Sequence, residues 1–117
     1  MKLTIHSGPK GKIVELDSGF NLHTVDDFID LIGNANYHET SNIIISENNL
    51  PKTFFQLKTR MAGEVLQKFS TYNQKLAIIG DFSSLESKSL KDFIRESNRI
   101  GRILFVESRT DAISKLT

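Results

Sequence analysis

The stretch "NIIISE", Asn42 to Glu47, sets three isoleucines in a row between polar residues. It is too short for a helix and shows no polar alternation. A run of that kind suits a strand buried on both faces, as in a parallel sheet. "KLAIIG", Lys75 to Gly80, has the same character, and "RILFVE", Arg102 to Glu107, reads as the last strand. Parallel neighbours need long crossover connections, so helices belong in the intervals.

Upstream, "KLTIHS" and "KIVELD" flank the turn signal "GPKG" and read as an antiparallel hairpin at a sheet edge. Thr24 then opens a helix, with Asp27 completing a capping-box pattern and Val25, Phe28, Ile29 and Ile32 on one face. Gly33 and Asn34 lie near its expected end. Downstream of "NIIISE", Asn48-Asn49 breaks the strand and Pro51 suits a first helical position. From Phe54 onward Leu57, Met61, Val65, Leu66 and Phe69 form a helical stripe, and Thr59 can cap a fresh start within it. Gly63, inside that helix, suggests close approach to the sheet or another helix.

After the second buried strand, "DFSSLES" leads to a helix with Leu90, Phe93 and Ile94 on one face. Ser87 or Ser89 can cap it and Gly101 can stop it. "TDAISKL" closes the chain as a helix capped by Thr110. The pattern predicts one α/β domain over residues 1–117 of two or three layers. Its sheet has five strands, mainly parallel with an antiparallel edge strand, and carries four helices. In such sheets ligands sit outside the carboxyl ends of the strands, where the connections diverge.

Composition excludes several function classes. The chain has 117 residues, with 15 basic side chains against 14 acidic ones, so no clustered basic surface for nucleic acid is expected. It has no cysteine, which removes disulfides, thiolate nucleophiles and cysteine-bound zinc, and fits a cytoplasmic location. No segment approaches the roughly 18 apolar residues of a membrane helix, and "MKLTIHSGPKGK" has no signal-peptide core. His6, His23 and His38 are scattered, so neither metal nor cofactor is expected.

"NIIISENNLPKTFFQLKTRMAGEVLQKF", "KLAIIGDFSS", "SKSLKDFIRESN" and "DAISKL" together resemble the bacterial domain-of-unknown-function family 4180. The resemblance puts Gly at position 60, within "LKTGLAGE", where this chain has Arg60. Some members of that family are labelled α/β hydrolases, but this chain has no G-x-S-x-G nucleophile elbow. The element order is also similar to the module shared by sulfate transporters and anti-sigma factor antagonists, the STAS domain. That likeness implies a phosphorylatable Ser or Thr at the start of the helix after the third strand, and Thr59 sits near that place.

Candidate chemistry gathers at the strand ends. Glu47 and Asp81 end two strands expected to be neighbours, and paired carboxylates can act in acid–base work or hold a hard cation. Solvated loop residues or helix caps are the simpler reading. Lys58 and Arg60 can bind an anion at the start of the Thr59 helix, or stand exposed with Lys58 paired to Glu47 or Asp81. Asn48 and Ser83 complete the candidate crevice, Ser83 within a serine-rich loop that suits cap and turn duty. One of Phe54 and Phe55 can line the crevice or a partner surface. Two functions stay open. One is a regulatory module, monomer or homodimer, binding a protein partner. The other is a small-anion-binding domain or enzyme using the same crevice.

Overall fold

The computed structural model describes residues 1–116. β1 (Leu3–Gly8) and β2 (Gly11–Leu16) form the antiparallel hairpin, and α1 (Val25–Tyr37) follows. Then come β3 (Asn42–Ser46), α2 (Met61–Thr71), β4 (Lys75–Ile79), α3 (Lys88–Ile100), β5 (Ile103–Val106) and α4 (Arg109–Leu116). The sheet runs β1-β2-β3-β4-β5 in sequence order, with every pair after the hairpin parallel. The expected five strands and four helices are all present.

Sequential order has a consequence for the layers. Each right-handed crossover steps the same way along the sheet, so α1, α2 and α3 fall on one face. Ile43, Ile45, Leu76, Ile78, Ile103 and Phe105 point to that face and meet Phe28, Leu31, Val65 and Phe69. Ile44, Ala77, Leu104 and Val106 point to the other, where α4 covers them with Ala112 and Leu116. The isoleucine run is apolar throughout because Ile43, Ile44 and Ile45 are each fully buried, on alternating faces.

The helix expected from Phe54 onward is not continuous. Three single-turn 3-10 helices, Glu47–Asn49, Lys52–Phe55 and Leu57–Thr59, precede α2. Pro51 lies outside the second of them, in extended backbone. Gln56, with φ −91° and ψ 94°, separates the second from the third, and Arg60, at φ +63°, turns the chain into α2. Leu57 is therefore exposed rather than on the apolar stripe. Gly63 faces open space, so the expectation of close packing there is not met.

Two helix boundaries also move. α1 runs past Gly33 and Asn34 to Tyr37, and the Asn34 side chain bonds back to the Asp30 carbonyl without ending the helix. α4 begins at Arg109, with Ser108 accepting from the Asp111 N–H, so Thr110 lies inside the helix instead of capping it. The Thr24–Asp27 capping box, the Ser87 cap and the Gly101 stop (φ +86°) form as read.

Candidate functional site at the carboxyl ends of β4 and β5

α3 returns over the three-helix face and α4 over the opposite one, so the chain leaves β4 and β5 in opposite directions. Among the described residues this is the one divergence of connections, and it opens an exposed groove of about 340 Å³ lined by Gly80, Asp81 and Glu107. The Gly80 N–H donates to the Val106 carbonyl at 2.9 Å, which holds the two strand ends together. A Cβ on Gly80 would stand 2.8 Å from the Glu47 carboxyl carbon and 2.9 Å from the Phe82 ring. A side chain at position 80 would have to displace the Glu47 carboxylate and the edge of the Phe82 ring.

The structure brings Glu47 and Asp81 together, though not as a pair of facing acids. Glu47 Oε1 accepts from the Asp81 N–H at 3.4 Å. The Asp81 carboxylate turns instead to Ser83, accepting from its hydroxyl at 2.6 Å and its N–H at 3.1 Å. Those bonds favour the charged form and hold the Asp81 carboxyl below its ordinary value. A general acid needs the opposite shift. Among the described residues, no ion pair involves Glu47, Asp81 or Glu107, so the groove presents uncompensated negative charge.

Glu47 is positioned by a residue the sequence showed only as a strand breaker. Asn49 is fully buried and ties three segments together. Its Oδ1 accepts from the Ser46 N–H, and its Nδ2 donates to the carbonyls of Asp17 and Phe20 at 2.8 and 2.7 Å. The Leu22 N–H donates to the Asn49 carbonyl. All of its amide capacity but one acceptor site is used, which fixes the turn that carries Glu47. Asn48, one residue earlier, is exposed and donates its N–H to Ser46 Oγ.

An aromatic chain braces the same loops from beneath. Phe28, Phe54, Phe55, Phe82 and Phe105 follow one another at centroid distances of 6.2, 5.3, 6.1 and 5.2 Å, and Phe93 joins Phe105 at 6.3 Å. Phe54 is buried and Phe55 half-buried, so both serve this brace. Phe82 anchors the Asp81–Ser83 turn on β5 through its edge-to-face contact with Phe105.

Lys58, Thr59 and Arg60 are exposed on the turn before α2. Among the described residues, no hydrogen bond or ion pair joins them to Glu47 or Asp81, so the expected Lys58 pairing is not formed. The Thr59 hydroxyl lies 2.8 Å from the carbonyls of Thr53 and Gln56 and 3.3 Å from the Met61 N–H. It closes the turn. Arg60 occupies the left-handed region, which a residue with a Cβ adopts at a cost and glycine does not. The glycine that the family resemblance puts at position 60 answers that backbone demand.

A second polar concavity, about 350 Å³, lies on the α4 face at the hairpin and includes Thr4, His6, Glu15, Asp17 and Arg109. Glu15 accepts from Arg109 Nε and one terminal guanidinium nitrogen at 2.7 and 2.8 Å, and lies 2.7 Å from His6 Nε2. Arg109 first, and His6 after it, hold the Glu15 carboxyl below its ordinary value. The Glu15–Arg109 pair fastens α4 to β2. Among the described residues, no group of three metal-type donors occurs, and no helix is long and apolar enough to cross a membrane.

Residues 10–116 match the family described as Domain of unknown function (DUF4180), and the chain belongs to it. No curated protein and no solved structure matches the chain.

The acid-rimmed groove could have been located more closely from the sequence. Glu107 ends "RILFVE" as Glu47 ends "NIIISE", and the same reasoning applies to both. What the sequence did not show was that α3 and α4 part company between β4 and β5. That divergence makes Glu107, rather than Lys58 or Arg60, the companion of Asp81.

Proposed function

We propose that this member of the domain-of-unknown-function 4180 family is a cytoplasmic regulatory or protein-interaction module of a bacterial cell. It receives a basic segment of a partner in the groove between the β4 and β5 ends. One observation carries the reading. Among the described residues, the only divergence of connections leaves an open groove lined by Asp81 and Glu107, with Glu47 beside Gly80 and no paired cation on any of the three. Complementary charge across an interface steers encounter and fixes register. The regulatory part of the reading leans on the likeness in element order to the sulfate-transporter and anti-sigma-antagonist module. The cytoplasmic part leans on the absence of cysteine.

The groove suits binding better than turnover. It is open, the Glu47 and Asp81 carboxylates are engaged by backbone N–H groups and a serine hydroxyl, and Asp81 is held in its charged form. A short arginine- and lysine-rich peptide titrated against isotope-labelled protein tests the site. Amide shifts should gather at Gly80, Asp81 and Glu107, fade as salt rises, and vanish in Asp81→Asn/Glu107→Gln. Shifts spread over the surface, or unchanged in that variant, would overturn the assignment.

A further inference from the structure

The two edges of the sheet are finished differently. At the β5 edge, α3 supplies side chains that occupy the free backbone groups. Asn98 Oδ1 accepts from the Phe105 N–H at 2.7 Å, and its Nδ2 donates to the Phe105 carbonyl at 3.3 Å. Buried Ser97 donates to the Ile103 carbonyl at 2.6 Å. A further strand cannot add there without displacing them, which is how natural sheets protect an edge.

The β1 edge has no such cover. β1 pairs with β2 so that Thr4 faces Glu15 and His6 faces Ile13, and the Asp17 N–H donates to the Lys2 carbonyl. Bonded pairs alternate along an antiparallel ladder, so the even-numbered residues of β1 bond to β2. The N–H and carbonyl groups of Leu3, Ile5 and Ser7 therefore face outward. Among the described residues, none bonds to them. The strand is six residues long and its register is unbroken by a bulge or a proline. An edge of that kind is a template for another strand.

We propose that a second copy of this chain adds its own β1 there, antiparallel about a two-fold axis through Ile5, so that two sheets become one. The register accommodates a second copy without mismatch. With the axis at Ile5, Leu3 stands opposite Ser7 of the second copy, Ile5 opposite Ile5, Thr4 opposite His6, and Lys2 opposite Gly8. All three outward-facing residues then meet outward-facing residues, giving about six backbone bonds at two per bonded pair. No residue meets a like charge. That self-complementarity is what a two-fold interface demands.

The exposed apolar surface supports the same occupant. Met1, Ile5 and Tyr37 are 43%, 48% and 83% exposed. Ile5 lies opposite Val14, on the face that carries α1, and self-pairing sets two Ile5 side chains against each other there. Beside them runs an open groove of about 700 Å³ between Met1, Phe20 and the Ile29, Gly33 and Tyr37 positions of α1. The same register carries Met1 of each copy to Pro9 of the other, so the two grooves run antiparallel. The surface is at the opposite edge of the sheet from the β4–β5 groove, so either proposal can fail without the other.

The chain has no cysteine, so a single introduced thiol reports one contact. Bonded antiparallel residues have Cα atoms about 5.5 Å apart, within disulfide range. Ile5→Cys should form a covalent dimer under mild oxidation at least tenfold faster than Tyr72→Cys, an exposed control. Sedimentation should show wild-type dimers. Ser7→Pro removes an outward donor where an edge strand tolerates proline, and should weaken the dimer about tenfold with little change in unfolding midpoint. If Ser7→Pro fails to fold, Ile5→Lys places like charges on the axis and should give folded monomers. A wild type that stays monomeric at high micromolar concentration would overturn the proposal. So would folded variants that dimerise as before, or Ile5→Cys linking no faster than the control.

Discussion

Single residues decide how the groove is held. Asn49 satisfies the Ser46 N–H and the Phe20 carbonyl and shares the Asp17 carbonyl with the Phe20 N–H, so Asn49→Ala leaves two polar groups without partners and should cost about 2 kcal/mol in urea melts. A loss below about 1 kcal/mol would mean that water replaces the amide there. Arg60→Gly should act oppositely. It relieves a left-handed φ of +63°, and the gain should be about 1 kcal/mol once the added chain freedom of glycine is offset. Thr59→Val removes a turn-closing hydroxyl at about 1 kcal/mol. Neither the buried role of Asn49 nor the conformation of Arg60 was legible in the sequence. Asparagine after a strand looks like a breaker, and nothing local marks it as the staple of a segment some thirty residues earlier. The glycine expected at position 60 was the one available hint, and it pointed to backbone strain.

Among the elements of the described residues, α4 stands apart because it alone covers its face of the sheet. Ala112 and Leu116 pack it on β4 and β5, while Arg109 reaches across to Glu15 on β2. The folded state holds the Glu15 carboxyl below its ordinary value of 4.5. The unfolded chain therefore binds its proton first as pH falls. The stability from this group is present above about 4.5 and is lost as pH drops through the lower folded value. Glu15→Gln should be less stable than wild type at neutral pH by under about 1 kcal/mol, since Arg109 is half exposed, and the gap should close below pH 4.5. A gap that is constant with pH would show that packing, not charge, links α4 to β2. The helix itself was legible from "TDAISKL", but its N-terminus was not, because Ser108 and Thr110 are equally good caps by composition.

For the whole molecule, the strand runs carried the fold correctly because their burial is a property of the entire sheet. Ile44 faces α4 and Ile78 faces the three-helix layer, and both are fully buried. Replacing either with Ala should cost about 2–5 kcal/mol in denaturant melts. That is a large part of the roughly 5–15 kcal/mol expected of a domain. The layering was less legible. Alternation of strands and helices fixes a parallel sheet, but which face each helix takes depends on strand order, and that is set by packing between distant segments. The site follows from that order, since among the described residues only the β4 and β5 connections diverge. The most direct test is affinity capture from the native host with wild type, Asp81→Asn/Glu107→Gln and Lys58→Ala/Arg60→Gly as baits. A partner recovered with wild type should disappear with the first double variant and remain with the second. A partner kept by the first and lost by the second would contradict the assignment and move the site to the turn before α2.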